Sequence, residues 1–275
     1  MRPFLSGIAY FFALLLAWGC STTPESQDEY HDWTDERFYQ EAKEALTEES
    51  YQRAIKLYEN LETRFPFGRY AAQAQLDVAF AYYKNNEPDA ALAATDRFIK
   101  LHPRNRHVDY AYYLKGLINY NRSIGFLERF IPTDSAQRDP GAAREAFKDF
   151  LLLIDKFPKS RYNNDARQRM IALRNNLAMS EIHIARYYMK RHAYVAAADR
   201  GVYVIEKFQQ TQAVPLALKI MEATYKKMAM DDLAADTARV FELNYANGIP
   251  NSEISELRDT SVAEDVWEFL GLDES

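Results

Sequence analysis

Five segments of this chain repeat one spacing of a small residue followed by larger ones. Ala54, Tyr58, Leu61 and Phe65 stand at offsets 0, 4, 7 and 11, and Pro66 follows. Ala146, Phe150, Leu153 and Phe157 repeat it before Pro158, and Ala91, Thr95, Phe98 and His102 do so before Pro103. Ala197, Gly201, Val204 and Phe208 keep the frame without a proline, and Ala234, Ala238, Phe241 and Tyr245 form a fifth copy. These offsets fall on one face of an α-helix. The small residue lets a partner helix approach closely, and the larger ones fill the space beside it. A following proline ends the helix, because the residue before proline is pushed out of the α region.

A second helix precedes each copy. Phe65-Pro66-Phe67-Gly68-Arg69-Tyr70 and Phe157-Pro158-Lys159-Ser160-Arg161-Tyr162 read as matching joints, after which Ala74 corresponds to Ala166 and Val78 to Met170. The unit is therefore helix, turn, helix, the tetratricopeptide (TPR) pattern, whose usual period is about 34 residues. The anchor alanines lie 37, 55, 51 and 37 residues apart, so the middle units carry insertions. Only nine glycines and ten prolines occur, which also favours helix. The expected fold is all-α, a TPR superhelix of five helix-turn-helix units (about ten helices) over 34–248, with an acidic C-terminal extension over 249–275. The units span about 34–66, 70–103, 107–158, 162–208 and 212–245. Asp139-Pro140 reads as a helix start, with Asp as cap and Pro in the first turn, and Pro88 serves similarly. Residues 163–190 lack Pro and Gly and predict one helix of about 42 Å. A helical bundle with chance similarity is the competing reading, and five in-frame copies count against it. A stack of this kind packs each unit only on its neighbours and curves into a groove that binds peptides or protein surfaces.

The amino terminus adds an address. Met1-Arg2 precedes an apolar run from Phe4 to Trp18, and Gly19-Cys20 closes it. The strongly apolar core is about ten residues, whereas a membrane span needs about twenty, so residues 1–19 read as an export signal. A small residue before a cysteine at this point resembles the bacterial lipobox, which implies cleavage and lipid attachment at Cys20. Ala17 and Trp18 depart from its usual form, and an ordinary secretory signal is the alternative. Cys20 is the one cysteine in the sequence, so the mature chain forms no internal disulfide. Ser21 follows it, and in the lipoprotein class that implies the outer membrane, facing the periplasm. Residues 20–33 then read as a lipidated tether.

Charge is distributed unevenly. Residues 25–50 carry ten acids against Arg37 and Lys43, and residues 249–275 carry eight against Arg258. The body, 51–248, carries 22 acids and 30 Lys or Arg, a net of +8. A basic body suits acidic partners. Nucleic acid is not among those expected, since the chain is exported and no nucleic-acid-binding motif occurs. His31, His102, His107, His183 and His192 show no metal-ligand spacing, so neither a metal nor a cofactor is expected. No phosphate-binding Gly-rich loop, Gly-x-Ser-x-Gly elbow or catalytic cysteine occurs, and no enzyme is expected. Glu181 and Asp165 read as ordinary helix-surface charges.

Local strings then point to one family. Arg64 to Tyr70 is followed by Ala81-Tyr82-Tyr83-Lys84-Asn85, Asp96-Arg97-Phe98-Ile99 and Val108-Asp109-Tyr110. Further on stand Arg138-Asp139-Pro140, Ala146-Phe147-Lys148-Asp149-Phe150, and Tyr187-Tyr188 with Arg191. With the lipobox, five units and the insertion after Asn121, these strings resemble the BamD family, TPR lipoproteins of the outer-membrane β-barrel assembly (BAM) machinery. The resemblance runs from the signal to about Asn247. It implies a lipid-anchored periplasmic scaffold that binds the periplasmic repeats of BamA, other BAM lipoproteins and unfolded β-barrel precursors. A periplasmic TPR lipoprotein scaffolding cell-wall or division enzymes is the alternative function, and a hydrolase with a convergent site is a third.

Candidate contacts follow. Phe67 and Tyr70, at the first joint, are the candidate precursor-binding residues, while Phe65 and Pro66 read as packing. The family's amino-terminal units are associated with precursor recognition. Arg191 and Arg200 lie where the family faces BamA, and Asp199-Arg200 matches a family Asn-Arg step. An arginine there can pair bidentately with a carboxylate. Phe126 and Phe130, in the insertion 123–137, either fold back or mark a contact. In the tail, where the family pattern stops, Val262, Val266, Phe269 and Leu270 make one apolar stripe beside Trp267, with Glu264, Asp265 and Glu268 off it. Such a segment can dock on the basic body or on a partner, or remain a frayed end.

Overall fold

The structure, a computed structural model, describes residues 29–124 and 140–245. Within them lie ten helices: α1 (Asp35–Thr47), α2 (Tyr51–Arg64), α3 (Ala71–Lys84), α4 (Pro88–Leu101), α5 (Val108–Ile124), α6 (Gly141–Lys156), α7 (Asn163–Lys190), α8 (Tyr194–Lys207), α9 (Ala213–Lys227) and α10 (Asp231–Tyr245). Each packs on the next in sequence, and few contacts reach further. This is the architecture expected of TPR-like helical repeats. The signal, Cys20, the tether up to residue 28, Phe126 and Phe130 in the insertion, and the tail stripe lie outside the described residues.

The small anchors sit where the spacing requires. Ala54, Ala91, Ala146 and Ala197 are fully buried, and Ala234 nearly so. Tyr58, Leu61, Phe98, Phe150, Leu153 and Val204 fill the space beside them and are buried too. In the fifth copy Ala238 is only half-buried, because no described helix packs beyond α10. Two glycines show how tight the approach is. A Cβ on Gly116 of α5 would lie 2.5 Å from the Phe150 ring of α6, and one on Gly201 of α8 would lie 2.5 Å from Met221 Cγ of α9.

Turns and joints close differently. The turns 48–50, 85–87, 191–193 and 228–230 each hold one residue in the left-handed region: Glu49 (φ 61°), Asn86 (61°), His192 (58°) and Ala229 (54°). Each closes with a Schellman pair, as where Ser50 N–H donates to Ala45 O at 2.8 Å and Glu49 N–H to Leu46 O at 3.3 Å. None of the four is glycine, so the chain accepts backbone strain at each turn. At the joints, Phe65, His102, Phe157 and Phe208 cap their helices with φ of -128°, -124°, -128° and -121°. The first three precede proline, which disfavours the α region; Phe208 takes the same conformation without one.

Three expectations are corrected here. Pro140 is the N-cap of α6, not a member of its first turn, and Asp139 lies outside the described residues. Pro88 does begin α4, but Glu87 is the cap and makes no side-chain bond to the helix. Pro66 is exposed; its role is to set the backbone of the joint, not to fill space between units. The uninterrupted stretch 163–190 forms one helix of 28 residues, as its composition predicts.

The Gly116 contact yields a stability prediction. Phe150 is fully buried and its ring cannot yield as a flexible side chain would. Gly116→Ala should cost about 1–3 kcal/mol through overpacking, more than any gain in helix propensity. Gly201→Ala should cost less, because Met221 can rotate away. Denaturant unfolding of the two variants checks the order.

Candidate functional site

The first joint presents one aromatic side chain outward and holds others in. Phe67 is 99% exposed. Gly68 N–H donates to Phe65 O at 2.9 Å, and a Cβ on Gly68 would lie 3.1 Å from that oxygen, so the turn is tight and projects its tip. Behind it Phe65 packs on the buried Phe38, ring centroids 6.3 Å apart, and Phe38 also meets Trp33 at 5.1 Å. Tyr70 stacks face to face on Tyr39 of α1 at 4.7 Å. Arg69 lies 4.7 Å over the Tyr70 ring and donates to its hydroxyl at 2.5 Å. Phe67 and Tyr70 therefore share one joint, but Phe67 is free while Tyr70 is already half engaged.

The third joint repeats the device. Tyr162 stacks on Tyr113 of α5 at 4.8 Å, and Arg161 lies 4.9 Å over Tyr162 and donates to its hydroxyl at 2.6 Å. The Tyr39 hydroxyl donates to Asp77 at 3.2 Å, and that of Tyr113 to Asp165 at 2.6 Å. Asp165 is an exposed helix-surface charge, as expected, but one engaged from two sides. Burial acts to raise its carboxyl, but hydrogen bonds from Arg169 and Tyr113 outweigh that and hold it below the usual carboxylate range. Tyr39 and Tyr113 were missed as joint residues. The signal was present in the Arg-Tyr steps Arg69-Tyr70 and Arg161-Tyr162, but their stacking partners lie 31 and 49 residues upstream.

These tyrosines carry a pH dependence. Burial first, then their carboxylate neighbours, push Tyr39 and Tyr113 up to about 12 from an ordinary 10. A phenol with a raised folded-state value contributes stability that is complete below pH 10 and is lost as pH rises through 12. Tyr39→Phe with Tyr113→Phe should therefore flatten part of the alkaline fall in denaturation midpoint. An unchanged slope would show that these two groups do not carry it.

The two arginines of the fourth unit have different surroundings. Glu181 of α7 is 3% exposed, and Arg200 Nη1 of α8 donates to its Oε2 at 3.0 Å. Arg144 Nη2 of α6 lies 3.6 Å from the other oxygen. Glu181 is thus a buried carboxylate tying three helices, which corrects its reading as a surface charge. α7 runs between α6 and α8, so the face that carries Glu181 is covered by both. Arg191 stands apart, exposed at the C-cap of α7, where its Nε donates to the Tyr187 hydroxyl at 3.1 Å. It has no carboxylate partner among the described residues, and Tyr187 and Val195 are exposed beside it. Arg200→Glu should place a second carboxylate against the buried Glu181 and destabilise the array more than Arg144→Glu does, since Arg200 hydrogen-bonds that carboxylate at 3.0 Å while Arg144 lies 3.6 Å away. Melting temperatures of both variants test that order.

Comparison with known proteins follows the same span. The family described as "YfiO: Outer membrane lipoprotein" matches residues 31–240. The outer membrane protein assembly factor BamD of Neisseria meningitidis serogroup B is 45% identical over 245 residues, covering 89% of this chain and 92% of the relative. The protein of the same name from Vibrio cholerae is 35% identical over 240 residues, 87% of this chain and 97% of its own length. That from Xylella fastidiosa (strain Temecula1) is 33% identical over 209 residues, 76% of this chain and 71% of its own length.

Proposed function

This chain belongs to the BamD family of outer-membrane lipoproteins, and from that membership we propose that it is an outer-membrane protein assembly factor, a scaffold and not an enzyme. The observation that carries the reading is the similarity to the Neisseria relative, which extends over 89% of the chain and so over the whole stack. A scaffold function fits a series of helix pairs, each packed on its neighbours, whose exposed joints offer contacts. Lipid at Cys20 would hold the array to the inner face of the outer membrane. Three acyl chains anchor stably where one is marginal.

Within that reading the partners are the periplasmic repeats of BamA, other BAM lipoproteins and unfolded β-barrel precursors. Precursors would be received at the first joint. An unfolded barrel strand alternates aromatic and polar residues, and the exposed Phe67 offers it a hydrophobic contact beside the Tyr70–Tyr39 stack. BamA would dock on the fourth unit. There Arg191, with Tyr187 and Val195, makes an exposed cationic and apolar patch, whereas Arg200 contributes whatever Glu181 leaves exposed. The roles of Phe126 and Phe130 belong to contacts of the insertion.

The test uses the purified mature chain, the periplasmic repeats of BamA and a peptide from the last strand of an outer-membrane barrel. Both should bind. Phe67→Ala should weaken the peptide by about fivefold or more, a loss of ~1 kcal/mol, while leaving BamA binding unchanged. Arg191→Glu should do the reverse. Recovery of cell-wall synthases in place of BamA from periplasmic extracts would overturn the assembly reading.

A further inference from the structure

One edge of the stack gathers basic residues in its joints. Helices α2, α4, α6 and α8 each end at a joint, and the three joints 65–70, 102–107 and 157–162 contain Arg69, Arg104, Arg106, Lys159 and Arg161 and no acid. All five are exposed, and none makes an ion pair among the described residues. Arg69 and Arg161 lean on Tyr70 and Tyr162, and Arg106 donates to His107. The turns at the other end, 48–50, 85–87, 191–193 and 228–230, are mixed: Glu48, Glu49 and Glu87 stand with Arg191, and Lys84, Lys190, Lys226 and Lys227 lie in the helical turns leading into them. Asp35 and Glu36 stand beside the first joint, but the acids flanking the other two are occupied. Asp109 accepts from Ser160 at 2.7 Å, and Asp165 is held by Arg169 and Tyr113.

Between the second and third joints lies a cleft of about 420 Å³, lined by Val108, Phe157 and Pro158, by the basic Arg106 and Lys159, and by one acid, Asp109, which already accepts from Ser160. Its lining is thus apolar and basic with a single engaged carboxylate. A segment that fits it combines aromatic residues with acids. The chain has one: residues 249–275 carry eight acids, and Trp267 and Phe269 stand among Glu264, Asp265 and Glu268.

Connectivity favours this occupant. Helix α10 runs in the same sense as α2, α4, α6 and α8, so its end, Tyr245, faces the joint edge. The start of α7 is three packed helices away, about 30 Å at 8–10 Å per step. The length of α7 displaces the last two units along its axis by about half of its ~42 Å. The path is therefore roughly 50 Å at most. The 21 residues from Ala246 to Val266 reach about 70 Å when extended. Tethering also makes the encounter intramolecular, with an effective concentration in the millimolar range for flexible links.

We propose that the acidic C-terminal segment docks in cis along the basic joint edge, with Trp267 in the cleft between the second and third joints. The contact is partly ionic, so it weakens with salt as the Debye length falls to ~3 Å at 1 M. It covers basic joints that would otherwise attract other anionic partners.

Trp267 itself reports on the site. The chain has three tryptophans, of which Trp18 lies in the signal, so Trp33→Phe leaves Trp267 alone in the mature protein. The mature chain in a non-ionic detergent, at low salt, should show blue-shifted emission and several-fold weaker acrylamide quenching than the isolated 249–275 peptide. Salt at 1 M, or the combined Arg104→Glu, Arg106→Glu and Lys159→Glu variant, should restore solvent-like values, with circular dichroism confirming that the helices persist. Solvent-like emission at low salt overturns the proposal. So does a blue shift that survives charge reversal, or one that disappears on dilution, which would mean a contact between copies.

Discussion

Close approach of helix backbones is the constraint on which the rest of this molecule depends. Each second helix carries one small residue, Ala54, Ala91, Ala146, Ala197 or Ala234, at the point where its partner crosses. Gly116 and Gly201 sharpen the requirement, since even a methyl group there would overlap Phe150 or Met221. With the small residue in place, the larger ones at the following offsets reach across and fill the groove. This is why the spacing recurs with little identity of the residues themselves. Thr95 replaces Tyr58 and Phe150, is fully buried, and satisfies its hydroxyl by donating to Ala91 O at 2.7 Å. A polar residue is tolerated there because its hydrogen bond is local.

The same constraint decided what was legible in the sequence. The frame, the helix pairs and the long α7 could be read because burial on one face imposes a period. The turn closures could not. Glu49, Asn86, His192 and Ala229 take a conformation usually marked by glycine, and no residue type announces it here. Phe67 could be read as a candidate because it is aromatic and stands between two turn-forming residues. Its burial partner was never visible, because it has none. Glu181 was misread for the opposite reason. A carboxylate on a helix is ordinarily solvated, and only the positions of Arg144 and Arg200 on neighbouring helices reveal that this one is enclosed.

Charge follows from helix direction as well as from sequence. Four successive second helices carry a basic residue in the last turn, Arg64, Lys100, Lys156 and Lys207, which complements the negative end of each helix dipole. All four therefore lie beside the joints, and the joints add their own arginines. The first helices do the same at the opposite edge with Lys84, Lys190, Lys226 and Lys227, so what distinguishes the joint edge is the arginines of the joints themselves. The first joint differs in presenting an apolar tip, Phe67, beside its arginine.

Helix α7 sets how the two ends of the scaffold relate. Its first half contributes Ala166 and Leu173 to the core with α6, and its second half contributes Ala178, Ile182, Ala185 and Met189 to the core with α8 and α9. A helix of 28 residues is about twice as long as most others in the stack, so each half can support its own neighbours. The buried Glu181 lies just past the middle and reaches both sides, to Arg144 of α6 and to Arg200 of α8. Strong geometric demands on such a pair, and the high cost of leaving its carboxylate unpaired, make it a lock on angle more than a source of net stability. In a stack whose units pack only on their neighbours, the angle between its two halves is the property to be held. The only described element that spans both cores is this helix, and the ion triad fixes its two neighbours against it.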